Sequence, residues 1–261
     1  MFLYFLYIII YYIIKKNFPL FVLHKDLSFN NKVAKVLTYN VQRLPFLFRP
    51  CININDLLNK YDVICLQENY CDLFKQNNSY NVNCVIPKSS IFKIADSGLT
   101  IYSKLPIHYI DFIRFENLCS IDRVADKGFL IVQINDFILI NTHLQASYNL
   151  TDNNNFTKAE EQIKTIINKV KNHNKIIICG DFNYNINEIE IDDFNNICPN
   201  VPTHWMQMGS ILSKTSATKI NNYYPYYFDG GLYKNINVNN INVENYDNYT
   251  DHLGVSFDIV L

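Results

Sequence analysis

The sequence has no excess of charge of either sign. Its 23 lysines and arginines nearly balance 24 aspartates and glutamates, so the formal net charge is −1 at pH 7. Proteins that bind nucleic acid through a strongly basic surface need clustered Lys and Arg to neutralise the phosphates. The charge balance therefore argues against nucleic acid as a partner.

The sequence also lacks paired cysteine motifs. It has seven cysteines, an odd number, and no two of them are spaced as C-x-x-C. Cys65 and Cys179 lie inside apolar runs, where a thiol packs as a small hydrophobic group. This pattern argues against a disulfide framework or a zinc site and favours a reducing compartment.

No stretch rich in proline, glycine or serine, no charge block and no repeat divides the chain after residue 32. Hydrophobic residues make up 49% of the sequence and aromatic residues 15%, which is enough to form a large core. We therefore expect one domain over residues 32–261.

The first 24 residues differ in composition from the rest. Residues 1–14 carry no charge, Lys15 and Lys16 follow, and residues 18–23 are again apolar. Fourteen helical residues would span about 21 Å, less than the roughly 30 Å hydrocarbon core of a bilayer. We predict that residues 1–24 associate with a membrane, as a short transmembrane anchor, the apolar region of a cleaved signal peptide or an interfacial helix.

Short apolar runs rich in branched aliphatic and aromatic residues predict strands. These runs cover residues 32–40, 98–107, 128–136, 137–145, 175–183, 228–235 and 254–261. Residues 54–69 predict a short helix followed by a strand, and the apolar spacing over 158–170 predicts a helix. Many strands with few helices favour packed sheets with the helices outside.

Distinctive polar residues lie at the ends of these runs. They comprise four carboxylates, two amides and two imidazoles: Asn40, Glu68, His143, Asp181, Asn183, Asp229, Asp251 and His252. Because a sheet can gather strand ends at one edge, we expect these side chains to meet in one pocket. Such a set suits a hard, oxygen-preferring divalent cation and a phosphoryl group.

The metal ligands are expected among the oxygen donors. Mg²⁺ is usually held by one or two carboxylates together with substrate oxygens and water. Asn40 and Glu68 suit that role, with Asp251 near the same ion; Mn²⁺ is the alternative cation.

The other five residues suit the chemistry at phosphorus. Asp181 could position or deprotonate a water molecule, while Asn183 and His143 could donate hydrogen bonds to the charge that develops on phosphoryl oxygens. His252 suits proton transfer near neutral pH, and Asp229 could fix its tautomer.

The ordered series of motifs resembles the endonuclease/exonuclease/phosphatase superfamily over nearly all of residues 32–261. The motifs are TYNVQ, LQEN, SKLPI, NTHLQA, GDFN and TDHLG. Within the superfamily, GLTIYSKLPI, ADKGFLIV and NTHLQASY resemble the neutral sphingomyelinase branch. The resemblance implies a four-layer α/β sandwich, in which helices flank two packed mixed β-sheets, and a metal-dependent phosphoesterase activity.

The resemblance also assigns roles to the eight polar residues. Glu68 matches the metal-binding glutamate, Asn40 its neighbouring asparagine, and Asp181 and Asn183 the two polar residues of the GDxN motif. His143 matches the histidine that contacts the phosphoryl group, His252 the essential terminal histidine, Asp251 the acid beside it and Asp229 the aspartate that supports it.

Three positions are less typical of the family. Two glycines follow Asp229, where the family usually has an aromatic and an aliphatic residue. Lys158 stands near a position where arginine is common. Residues 126–128 resemble a loop of the sphingomyelinase branch, and a charged hairpin turn is an equal alternative.

The leading hypothesis is hydrolysis of a membrane phospholipid, with sphingomyelin giving ceramide and phosphocholine. The alternatives are a nuclease on the same scaffold, a soluble inositol-phosphate phosphatase and a non-catalytic, membrane-tethered binding module. The sequence gives no indication of the oligomeric state.

The expected location is a membrane with the catalytic domain in the cytosol. Lys15 and Lys16 follow the apolar segment, and positive flanks favour the cytoplasmic side. A glycan on the sequon at Asn248 would crowd Asp251, three residues further on, which agrees with this orientation. A secreted form is the alternative.

Overall fold

The computed structural model describes residues 21–23, 29–43, 53–70, 82–88, 90, 93, 95–116, 118–146, 153–207, 223–246 and 250–261. In this part the chain forms fifteen β-strands, two α-helices, α1 (Ile54–Lys60) and α2 (Asn153–Val170), and two 3-10 helices, Ser120–Val124 and Ile186–Glu188. The strands in chain order are β1 (Phe21–Leu23), β2 (Val33–Arg43), β3 (Val63–Asn69), β4 (Asn83–Ile86), β5 (Thr100–Ser103), β6 (Ile107–Arg114), β7 (Gly128–Ile134), β8 (Phe137–His143), β9 (Ile176–Asp181), β10 (Asn195–Ile197), β11 (His204–Gln207), β12 (Tyr223–Tyr226), β13 (Asp229–Lys234), β14 (Val238–Glu244) and β15 (Gly254–Val260).

The strands form two large mixed sheets and one small ribbon. The seven-stranded sheet has the order β1-β4-β5-β3-β2-β15-β14, and the six-stranded sheet has the order β10-β13-β9-β8-β7-β6. Each large sheet contains one parallel pair, β2 with β3 and β8 with β9, and β11 and β12 form a separate antiparallel ribbon.

The two large sheets pack face to face. The shared core is filled by alternating aliphatic residues, such as Val36 and Val63 from one sheet and Leu139 and Ile177 from the other. Strands buried on both faces require apolar residues at successive positions, which explains the continuous apolar runs in β3, β8 and β9.

Each sheet carries one helix on its outer face. Apolar residues of α2, including Ile163 and Ile166, pack against the six-stranded sheet, while Leu57 of α1 packs against the seven-stranded sheet. Asn53 caps α1, since its side chain accepts a hydrogen bond of 3.1 Å from the backbone N–H of Asn55. The predicted four-layer α/β sandwich is confirmed.

Strand pairing brings the predicted site residues to one edge of the sandwich. In the parallel pair β2–β3, Asn40 is the partner of Gln67, the residue before Glu68. In the parallel pair β8–β9, His143 is the partner of Asp181, and the antiparallel pair β9–β13 places Asp229 opposite the same aspartate.

Several strands were not predicted from the sequence. β14 is a half-exposed edge strand with four asparagine or glutamate side chains among seven residues, so it has no apolar run to identify it. β6 has the irregular pattern IHYIDFIR. The helix predicted over 158–170 begins earlier, at Asn153.

The predicted hydrophobic segment 1–24 lies mostly outside the described residues. Its residues Phe21–Leu23 form β1 and pair with β4 at the edge of the seven-stranded sheet. In the part of the chain that the structure describes, no helix is long and apolar enough to cross a membrane. The membrane association of residues 1–24 and the boundary of the domain at residue 32 remain predictions.

Candidate active site

Asn40 joins the two sheets at the centre of the site. Its Nδ2 donates to Oε1 of Glu68, at 3.1 Å, and to Oδ2 of Asp181, at 2.9 Å. Glu68 comes from the seven-stranded sheet and Asp181 from the six-stranded sheet, so one amide group holds a carboxylate from each. The Oδ1 atom of Asn40 accepts from the backbone N–H of Gln42.

His252 and Asp229 form a buried pair beside this centre. Nδ1 of His252 lies 2.8 Å from Oδ2 of Asp229, while Nε2 lies 3.7 Å from Oδ2 of Asp181. Burial disfavours the charged imidazolium, but the charges of Asp229 and Asp181 outweigh it and raise the pKa of His252 well above its ordinary value. His252 is therefore positively charged at neutral pH.

His143 lies on the other side of Asp181. Its Nε2 is 3.6 Å from Oδ2 of Asp181 and 3.1 Å from Nζ of Lys127. Burial and the positive charge of Lys127 keep the pKa of His143 well below its ordinary value. His143 is thus neutral, and because an ammonium group can only donate, its Nε2 is the acceptor toward Lys127. Its Nδ1 is buried and has no hydrogen-bond partner among the described residues.

Lys127 is a site residue that was not identified from the sequence. For residues 126–128 the sequence predicted only a loop of the sphingomyelinase branch or a charged hairpin turn. Lys127 is buried, donates to the backbone carbonyl of Leu144 at 2.7 Å and forms an ion pair of 3.0 Å with Asp122. Its only distinguishing feature in the sequence is the resemblance of ADKGFLIV to one branch of the family.

The GDFN motif forms a tight turn after β9. The backbone N–H of Asn183 donates to Oδ1 of Asp181 at 2.9 Å, and its side chain donates to the carbonyl of Leu144. Asn183 and Glu68 have φ values of 47° and 52°, which non-glycine residues rarely adopt. Left-handed backbone at two residues of one site is typical of functional sites, where the surrounding structure maintains strained conformations.

Gly180 is the residue before this turn. A β-carbon there would lie 2.0 Å from the carbonyl oxygen of Thr142 in the neighbouring strand β8. Only glycine allows the two strands to approach so closely, and this approach sets Asp181 beside His143.

Asp251 lies at the entrance to the site. Its side chain is 49% exposed, and its Oδ1 is 3.9 Å from Nε2 of His252. It is close enough to Glu68 for its charge to contribute to the raised pKa of that residue.

His204 and Thr203 were not identified from the sequence, because they follow no apolar run. The His204 ring stacks on His252 with centroids 4.4 Å apart and on Phe228 at 5.5 Å. Burial lowers the pKa of His204 to about 4, so this ring is neutral. Thr203 accepts from the backbone N–H of Asp229 at 3.0 Å through its Oγ1.

The donor set fits a divalent cation. Desolvation in the cleft raises the pKa of Glu68 to about 7, and burial raises that of Asp181 despite the opposing charge of His252. Ligand atoms of Asp181, Asp229 and His252 lie within 4.8 Å of one another, as do those of His204, Asp251 and His252. Buried carboxylates with raised pKa values gain stability from added positive charge, which a metal ion would supply.

The structure thus brings all eight predicted residues to one cleft. One detail differs from the expectation: as oriented, the amide group of Asn40 faces the carboxylates and its oxygen faces Gln42. The chemical role of each residue remains a prediction.

The chain is similar to a family of phosphoesterases. The model of the Endonuclease/Exonuclease/phosphatase family matches residues 37–235. A sphingomyelinase of Dictyostelium discoideum is 32% identical over 116 aligned positions, and the match covers 35% of this chain and 25% of that protein. The match therefore spans about a quarter of the length of that curated relative.

Two solved structures share the fold. A mutant of beta toxin from Staphylococcus aureus with bound magnesium ions has a TM-score of 0.65 and 18% identity, and the match covers 86% of this chain and 98% of that one. TDP2 from D. rerio, complexed with a single-strand DNA product, has a TM-score of 0.60 and 16% identity, covering 88% and 99%. At these identities the likeness concerns the fold alone.

Proposed function

Because the chain belongs to the Endonuclease/Exonuclease/phosphatase family, we propose that it hydrolyses a phosphodiester in a membrane phospholipid. The leading substrate is sphingomyelin, which would give ceramide and phosphocholine. The sphingomyelinase of Dictyostelium discoideum supports this choice of substrate class.

One observation carries the proposal. The buried pair of Asp229 and His252 faces Asp181, which shares the amide group of Asn40 with Glu68. A proton-transfer group, a second buried acid and a cation-binding carboxylate therefore surround one small space. Hydrolysis of a phosphodiester needs these three components.

The charge states suggest how protons move. Asp229 accepts from Nδ1 of His252, so Nε2 is the atom that can exchange a proton in the cleft. Since His252 is charged at neutral pH, we assign it to protonate the leaving oxygen. Burial raises the pKa of Asp181, which makes this carboxylate a stronger base, and we assign it to accept the proton of the attacking water.

Glu68, Asn40 and Asp251 are the residues that would hold Mg²⁺, with Mn²⁺ as the alternative. Asn40 would have to turn its amide so that Oδ1, which accepts from Gln42, faces the ion. When bound, the ion supplies Lewis-acid stabilisation of charge on the phosphoryl oxygens.

Asn183 donates one side-chain N–H to the carbonyl of Leu144 and would offer its second to the phosphoryl oxygens. The three N–H groups of Lys127 are taken up by Leu144, Asp122 and His143.

The substrate class implies a membrane partner. In this proposal residues 1–24 tether the domain to the bilayer, which raises the local concentration of lipid substrate. The catalytic domain faces the cytosol, and nucleic acid is not a partner.

Release of phosphocholine from choline-labelled sphingomyelin in mixed micelles tests the proposal. We expect turnover by the full chain with Mg²⁺ and its loss with EDTA. Cleavage of plasmid DNA without lipid turnover would instead support a nuclease. No turnover of either substrate, with Mg²⁺ or with Mn²⁺, would support a non-catalytic binding module.

A further inference from the structure

The 3-10 helix Ser120–Val124 presents two apolar side chains to solvent. Ile121 is 60% exposed and Val124 is 40% exposed. Ile121 is the most exposed large hydrophobic side chain in the described part of the chain. A single exposed aliphatic residue is common, but two on one turn form a patch that a partner could cover.

This turn is physically connected to the candidate active site. Asp122 lies between the two exposed residues in sequence, yet it is buried and pairs with Lys127 at 3.0 Å. Lys127 in turn contacts His143 at 3.1 Å. The apolar patch is therefore linked to the candidate active site through Asp122, Lys127 and His143.

The turn is also rigid. The carboxylate of Asp122 accepts from the side chain of Gln145 at 2.9 Å and from the backbone N–H of Ala146 at 2.8 Å. Nε of Arg123 donates to the carbonyl of Leu118 at 2.9 Å. These hydrogen bonds hold the backbone so that Ile121 and Val124 point outward. Because the backbone is already ordered, little conformational entropy is lost when the turn binds a partner.

Cationic side chains lie on the turn and on segments linked by hydrogen bonds to the turn or to the residues just after it. They are Lys88, Arg114 and Arg123, which are exposed, and the half-buried Lys93. Nζ of Lys93 donates to the carbonyl of Arg123, and Arg114 donates to the carbonyl of Lys88, each at 2.8 Å. Of the acids described nearby, the buried Asp126 forms an ion pair of 2.8 Å with Arg114, the buried Asp122 pairs with Lys127, and Glu116 is exposed. Among the described residues, the surface thus combines apolar tips with a mainly positive rim.

We propose that Ser120–Val124 is a docking turn that inserts Ile121 and Val124 into a lipid bilayer bearing anionic headgroups. Apolar tips below the headgroups and lysine or arginine at their level are the arrangement that interfacial binding favours. The proposal rests on the proposed function, since it brings the cleft to the plane where a phospholipid phosphodiester lies. The charged rim favours this partner over a second copy of the chain.

A fluorescence experiment tests contact with lipid without requiring activity. The Ile121→Trp variant of the full chain is mixed with phosphatidylcholine vesicles that carry bromine on the acyl chains, with and without phosphatidylserine. Trp205 is common to all variants and gives the background. The matched control is Tyr109→Trp, at a position 48% exposed on the edge strand β6, at the opposite end of that strand from Arg114.

Quenching above background is expected for Ile121→Trp, more strongly with phosphatidylserine, and not for Tyr109→Trp. Equal quenching in the two variants, or none in either, would overturn the proposal. Self-association of the chain that Ile121→Ser/Val124→Ser abolishes, without lipid quenching, would assign the patch to a dimer interface.

A kinetic experiment tests the consequence for hydrolysis. For each protein, kcat/KM is measured on sphingomyelin in anionic vesicles and on a short-chain sphingomyelin below its micellar concentration. Ile121→Ser/Val124→Ser should lower the ratio of the two values about tenfold, on the scale expected from the apolar area removed. Val33→Ser/Val260→Ser, a pair of facing strand residues with 41% and 38% exposure, should leave the ratio unchanged.

The outcomes separate the two proposals. A wild-type protein that hydrolyses both substrates, with an unchanged ratio in Ile121→Ser/Val124→Ser, overturns the docking turn and leaves the proposed function standing. A wild-type protein that hydrolyses neither substrate overturns the proposed function, and the quenching result then decides on the docking turn alone.

Discussion

Asp229 holds His252 by a contact of 2.8 Å between Oδ2 and Nδ1, although the two residues lie 23 positions apart in the chain. Asp229 begins β13, and His252 lies just before β15, so each residue comes from a different sheet. The pair therefore depends on the packing of the two sheets, and it leaves only Nε2 of His252 for chemistry in the cleft.

Replacing Asp229 by Asn should lower kcat about 10²- to 10³-fold, because it removes the charge that keeps His252 protonated. Burial alone lowers the pKa of His252, and of the neighbouring charges that raise this pKa, Asp229 has the strongest effect. A general acid loses activity as pH rises through its pKa, so the alkaline limb of the pH–rate profile should move to lower pH in Asp229→Asn. Asp193→Asn, at an exposed aspartate paired with Lys234, is the control. An unshifted alkaline limb would contradict the assignment of His252 as the acid.

Mg²⁺ should stabilise the fold more at pH 8 than at pH 6, because Glu68 must lose its proton to bind the ion. Desolvation raises its pKa from 4.5 to about 7. A folded-state pKa above the unfolded value means that the metal-free protein loses stability as pH rises from about 4.5 to 7. Bound Mg²⁺ offsets that loss once Glu68 is ionised.

Thermal unfolding at the two pH values, with and without Mg²⁺, measures this effect. Glu68→Gln should abolish most of the Mg²⁺-dependent increase in Tm, while the exposed Glu188→Gln should retain it. An increase in Tm that is independent of pH, or that survives in Glu68→Gln, would place the metal elsewhere.

His204→Ala should lower kcat about tenfold, whereas His204→Phe should stay within about threefold of wild type. The neutral His204 ring lies between Phe228 and His252, and a stacked ring pair contributes about 0.5–1.5 kcal/mol. Phenylalanine keeps this stacking, and alanine leaves a gap that allows His252 to tilt. Measuring kcat and Tm for each variant distinguishes misalignment of His252 from a loss of stability of the fold. Equal losses of kcat in both variants would instead mean that His204 acts through its contact with the carbonyl of Asp251, at 3.2 Å.

Gln67 and Asn141 should contribute non-additively to stability, because they bond to each other between the sheets at 2.7 Å. Asn141 also donates to the carbonyls of Leu66 and Thr100, so Asn141→Leu leaves buried acceptors without partners. We expect each of Gln67→Leu and Asn141→Leu to cost about 1–3 kcal/mol in urea unfolding. The double variant should cost less than the sum, since residues in contact couple. Strict additivity would mean that this hydrogen bond contributes nothing of its own.

The sequence alone predicted the strands whose residues are buried on both faces, because such strands require continuous apolar runs. β8 and β9 are examples, and the polar residues that end them, His143 and Asp181, were identified for that reason. The half-exposed β14 and the irregular β6 were missed, since an edge strand needs no apolar run.

The amino-acid sequence by itself thus determined the fold class, the family and the set of eight polar residues at one edge of the sandwich. Tertiary structure decided how these residues act on one another: that Asp229 raises the pKa of His252, that burial and Lys127 lower the pKa of His143, and that His204 packs on His252. Electrostatic and stacking interactions depend on distances of a few ångströms between residues far apart in the chain. Those distances are set by the packing of the two sheets, which no local pattern of residues encodes.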